Sequence, residues 1–69
     1  MKISARNQLK GKIEKIIYGS VNAEVIIAID GGEKIVSIIT IDAVKSLDLK
    51  EGKVVYAVIK ASNVMVAVD

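Results

Sequence analysis

Two tripeptides near opposite ends of the chain carry residue types suited to holding an anion. Ser4-Ala5-Arg6 and Lys60-Ala61-Ser62 each supply one cation, one hydroxyl and one small residue that leaves the backbone approachable. Arg6 is the sole arginine among ten basic residues. Its guanidinium is a planar fork of donors, whereas Lys60 is a compact three-donor charge. No carboxylate lies inside either tripeptide. A donor-only set of this kind suits an acceptor-only ligand such as a tetrahedral oxyanion. Two cations would balance a dianion if the tripeptides met. A phosphate that retains a proton would find no side-chain carboxylate to accept it, so fully deprotonated oxyanions are favoured. Charge-assisted hydrogen bonds contribute roughly 1.5–3 kcal/mol each.

Each residue also has a plainer reading. A lone Arg on a strand is ordinarily solvated or ion-paired, and a Lys at a strand end is ordinarily edge protection. Asn7 is expected to turn away from Arg6 and bond backbone as scaffold. Gly19, Ser20, Val21 and Asn22 form a second candidate, a small nest of N–H groups. Turn chemistry is the first explanation of this stretch, Gly19 to Ala23, and the nest comes second to it.

The elements that must position these residues are mostly strands. Ile3 to Lys10 alternates, with Ile3, Ala5, Asn7 and Leu9 on one face and Ser4, Arg6, Gln8 and Lys10 on the other. Gly11 suggests a bulge that lets the strand run on into "KIEKIIYG". Gly19-Ser20 ends it. "VNAEVIIAID" and "EKIVSIIT" flank a "DGG" hairpin signal at Asp30 to Gly32. The period then changes. Ile41, Val44 and Leu47 have helical spacing, Thr40 suits the N-cap and Asp42 the first turn. "VVYAVIK" and "VMVAV" read as two closing strands around Ala61 to Asn63. Five or six short strands and one short helix predict a mainly β chain, a small OB-like barrel. Residues 1–69 form a single domain.

Composition narrows the function. Hydrophobic residues make up 52% of 69 residues, more than a monomer this small covers easily, so an oligomer is expected. "VMVAV" lacks polar alternation and should be covered on both faces. There is no Cys and no His, hence no disulfide, no thiolate or imidazole metal site and no imidazole base. No catalytic residue and no metal-cation site is expected. The net charge of +2 is too small for a protein that coats nucleic acid. A single-stranded nucleic-acid module on an OB-like barrel is the alternative reading. It needs stacking aromatics, and only Tyr18 and Tyr56 are present. No run of 18 apolar residues and no secretory leader occur, so a cytoplasmic, membrane-free protein is expected.

"MKISARNQLKGKI", "GSVNAEV", "SIIT" before the helix and "VIKASNVMVAVD", in that order along the whole chain, closely resemble the molbindins. These are small proteins that bind molybdate and tungstate, and the same module occurs in molybdate regulators and molybdate-transporter ATPases. The resemblance implies an OB-like barrel assembled as a homo-hexamer, a trimer of dimers, with the N-terminal strand exchanged between partners. It implies oxyanion sites at subunit interfaces, built here from Ser4, Ala5, Arg6, Lys60, Ala61 and Ser62. A second class of site near subunit contacts would fall at Gly19 to Asn22. Molybdate or tungstate would be the only ligand, without an organic cofactor. The role implied is storage and buffering. No helix-turn-helix or ATPase motif is present to encode regulation or transport.

Overall fold

A computed structural model describes residues 1–69. The element order is β1 (Asn7–Tyr18), β2 (Asn22–Ile29), β3 (Lys34–Thr40), α1 (Ile41–Ser46) and β4 (Val54–Ile59), followed by one 3-10 turn at Ala61–Asn63. The strands form one antiparallel sheet in the order β3-β2-β1-β4. The chain is mainly β with one short helix, a curled four-stranded sheet rather than the five or six strands expected from the sequence.

β1 organises the sheet because its twelve residues serve two partners. Its first half pairs with β4, its second half with β2, and Gly11 and Lys12 pair with both. Gly11 is buried where the strands crowd. A Cβ there would stand 2.5 Å from the Ala28 carbonyl oxygen, so only glycine fits. The bulge lies beyond Gly11. The register shifts between Ile13 and Lys15, leaving Glu14 without a β2 partner. Gly11 and Ile13 point inward before the shift and the half-buried Ile16 after it. Without the extra residue, Lys15 would have turned into the core. Glu14 instead bonds Lys34 on β3 at 2.9 Å, the one ion pair in the chain.

The β2–β3 hairpin turns at Asp30 to Gly32, as its sequence implies. Gly31 and Gly32 have φ of +100° and +93°, the region open to glycine. The helix also follows expectation: the Thr40 hydroxyl accepts from the Ala43 N–H at 3.0 Å, an N-cap. Val44 carries the helix onto the interior face of the sheet, where Ile13, Ala23, Val25, Ile27 and Ala57 complete the core.

Two segments differ from the sequence reading. Residues 3–6 are not in a strand; the first ladder pair is Asn7 with Ile59. The segment "VMVAV" forms no strand, and Met65, Val66 and Val68 are 90–93% exposed. A strand exists only where an adjacent edge supplies its hydrogen bonds, and neither segment finds one in this chain. Only 7 of 69 residues are buried, a thin core for so apolar a sequence. No helix is long and apolar enough to cross a membrane.

Candidate functional site

The β1–β4 ladder delivers the two tripeptides to one place. Asn7 pairs with Ile59 in antiparallel register. Just past that rung the chain leaves the ladder on both sides, into residues 3–6 on one arm and the 3-10 turn at Ala61–Asn63 on the other. The strands stop there, and the backbone opens into a cleft of about 420 Å³ lined by those six residues alone. All six residues singled out from the sequence are therefore together, within one chain.

Two side-chain hydrogen bonds brace the cleft. Asn7 Nδ2 donates to the Ile59 carbonyl at 3.2 Å, tying the last rung of the ladder at the cleft floor. This is the scaffold role expected of it. Gln8 Nε2 donates to the Ala5 carbonyl at 2.8 Å and holds the N-terminal arm in place without a strand. Sequence patterning does not single out Gln8 as a brace; its only signal there is a polar side chain three residues beyond Ala5. On the other arm, Lys60 caps the 3-10 turn, whose bonds run from Asn63 N–H to the Lys60 carbonyl at 2.9 Å and from Val64 N–H to the Ala61 carbonyl at 3.2 Å.

The electrostatics follow from this shared cleft. Arg6 and Lys60 are exposed like charges at the end of one ladder, and neither has a carboxylate partner. Their repulsion falls when an anion lies between them, and falls most for a dianion. Ser4 and Ser62 add a hydroxyl donor from each arm. The cleft contains no aromatic ring and no acid. It can hold and neutralise an oxyanion, and it offers no general base.

The second candidate takes a different form. Gly19 to Val21 form the exposed turn between β1 and β2, and Asn22 is the exposed first residue of β2. The Gly19 N–H donates to the Asn22 carbonyl at 2.8 Å, and the Val21 carbonyl accepts from the Ile41 N–H at 2.9 Å. None of the four residues lines a cleft with the main six. A shallow cleft of about 290 Å³ at Lys10, Gly11, Lys12, Asp30 and Val54 has no signal in the sequence, because Asp30 comes from a different hairpin. Nowhere do three or more His, Cys, Asp or Glu side chains cluster as a metal ion would require.

Known proteins share this fold. The family model for the TOBE domain matches residues 3–66. A probable molybdenum-pterin-binding protein from Haemophilus influenzae is 58% identical over the full length of both chains. The solved structure of MopII from Clostridium pasteurianum superposes with a TM-score of 0.92 at 51% identity, covering 97% of this chain and all of that one. The cytoplasmic molybdate-binding protein ModG, solved with molybdate bound, superposes at 0.91 with 51% identity over 94% of this chain, which spans 46% of ModG. With the domain model covering nearly every residue and the fold reproduced at high identity, this chain belongs to the TOBE-domain family, alongside the Mop-type molybdenum-pterin-binding proteins.

Proposed function

We propose that this protein binds molybdate or tungstate as a tetrahedral dianion between Ser4-Ala5-Arg6 and Lys60-Ala61-Ser62, and stores and buffers it in the cytoplasm without catalysing a reaction. The observation that supports this reading is the shared cleft, which the two tripeptides line together just past the Asn7–Ile59 rung, with one cation and one hydroxyl on either arm. The molybdate-bound state of ModG supports the ligand class. Four charge-assisted bonds at roughly 1.5–3 kcal/mol each leave enough for micromolar binding after ordering costs. The exposed apolar surface supports an oligomer, and a hexamer is the assembly proposed. Titration calorimetry with molybdate, tungstate and phosphate tests the reading. Saturable micromolar binding of the first two, with phosphate much weaker, is expected. No heat from molybdate or tungstate would sink it.

The relatives' names favour a second reading, a molybdenum-pterin as ligand. A pterin ring wants an apolar or aromatic platform, and the cleft presents four polar and two alanine side chains. Competition between molybdate and a molybdenum-pterin for the same protein separates the two. Single-stranded nucleic acid is the remaining alternative, and a gel-shift series in rising salt addresses it.

A further inference from the structure

At the tip of the β2–β3 hairpin, Asp30-Gly31 sets a carboxyl beside a backbone nitrogen that nothing shields. Asp30, Gly31 and Gly32 are all exposed. Two backbone bonds close the loop around them, from the Ile29 N–H to the Glu33 carbonyl at 2.8 Å and from the Gly32 N–H to the Ile29 carbonyl at 3.1 Å. The Gly31 N–H takes no part in either and donates to no other group. Gly31 has no Cβ, and the space one would occupy is open, with no atom within 4 Å. The Asp30 carboxylate is equally unengaged. It lines the shallow cleft with Lys10 and Lys12 but forms an ion pair with neither.

The other internal aspartates are placed differently. The N–H after Asp42 belongs to Ala43 and donates to the Thr40 hydroxyl at 3.0 Å. The N–H after Asp48 belongs to Leu49 and donates to the Val44 carbonyl at 3.0 Å. Both nitrogens are held by the helix and its ends and carry a side chain besides. Asp30 alone has a free, unhindered nitrogen next to it, on an exposed loop tip.

We infer that Asp30 is a site of spontaneous backbone modification, isomerising to isoaspartate through a succinimide. The Gly31 nitrogen attacks the carbon of the protonated Asp30 side-chain carboxyl. A C–N bond forms, the amide proton and the carboxyl hydroxyl leave as water, and the imide ring closes. Water then adds back to one of the imide carbonyls and the C–N bond there breaks. Opening at the side-chain carbonyl restores aspartate. Opening at the main-chain carbonyl leaves the chain running through the former side chain, one backbone atom longer, with a free α-carboxylate. The longer link falls inside the loop that the Ile29–Glu33 and Gly32–Ile29 bonds close, so the end of the hairpin loosens. The oxyanion cleft rests on β1 and β4 and uses no residue of this tip, so the modification stands or falls independently of what the cleft binds.

Warm incubation of the full-length protein near neutral pH tests this, followed by digestion and electron-transfer fragmentation. A synthetic peptide spanning Ala28 to Ile35, incubated in parallel, gives the rate of the unstructured chain. Expected is a second peak of unchanged mass for the fragment that contains Asp30, carrying the isoaspartyl cleavage signature and growing at a rate of the same order as in the peptide. Asp42 and Asp48 should stay as aspartate. Asp30→Glu, whose extra methylene disfavours imide closure, should abolish the second peak. Conversion in the peptide with none in the protein would overturn the inference. Equal conversion at Asp42 or Asp48 would also overturn it, because a free neighbouring N–H would then not decide the site.

Discussion

Ser4–Arg6 with Lys60–Ser62 and the stretch Gly19–Asn22 draw on similar small polar residues, yet they arrive at different chemistry. Both lie just beyond the end of a β1 ladder: one past the Asn7–Ile59 rung, the other past the Tyr18–Ala23 rung. At the turn the chain is continuous, so its polar backbone is used locally, with the Gly19 N–H on the Asn22 carbonyl. At the cleft the two arms flank a rung whose residues are 52 apart in sequence, and the ladder ends without a connecting turn. The donors there stay free. The difference teaches that free donors need an open ladder end as well as the right residues.

The largest effect that could break this comparison is at Arg6. Arg6→Ala should weaken molybdate binding roughly 10- to 100-fold, the loss of one strong charge-assisted interaction, with Lys60→Ala similar. Calorimetry on folded variants measures it, and undiminished affinity would move the site elsewhere. Because each cleft is built within one chain, mixing the two variants should restore no tight sites, even after subunits exchange. Recovery in the mixture would show arms supplied by different copies.

Gly11→Ala comes next, and it threatens both ladder ends at once. Gly11 pairs with Ile29 and Val55 together, so a methyl pressed against Ala28 should cost about 1–3 kcal/mol in denaturant unfolding. A neutral result would show that the sheet gives way at that point. Gln8→Ala should be milder. Losing the brace on Ala5 while keeping every donor predicts about a two- to fivefold weaker affinity, read as a higher dissociation constant without a change in thermal midpoint beyond a few degrees. Smallest is Ser20→Ala, which should leave molybdate affinity within about twofold. A larger drop would give the turn a share in binding.

Much of the fold was legible locally. The "DGG" hairpin and the Thr40 cap are short-range features whose chemistry is complete within a few residues, and both formed where expected. Placement of the bulge was not legible in the same way. Its position at Glu14 answers to the need to keep Lys15 out of the core, which depends on which face β2 buries. The "VMVAV" segment was legible as strand-forming material, but hydrogen-bonding partners are not a property of a segment.

The sequence by itself determined which residues could hold an oxyanion: a lone arginine and a lysine, each with a serine two positions away and no acid between. Those are properties of side chains and of the i, i+2 spacing. Only the tertiary structure decided that the two tripeptides line one cleft, because the register of β1 on β4 is set by which side chains reach the core. Inward placement of Gly11, Ile13 and Ala57 selects one alignment of those strands. That alignment brings both tripeptides to the same end of the ladder.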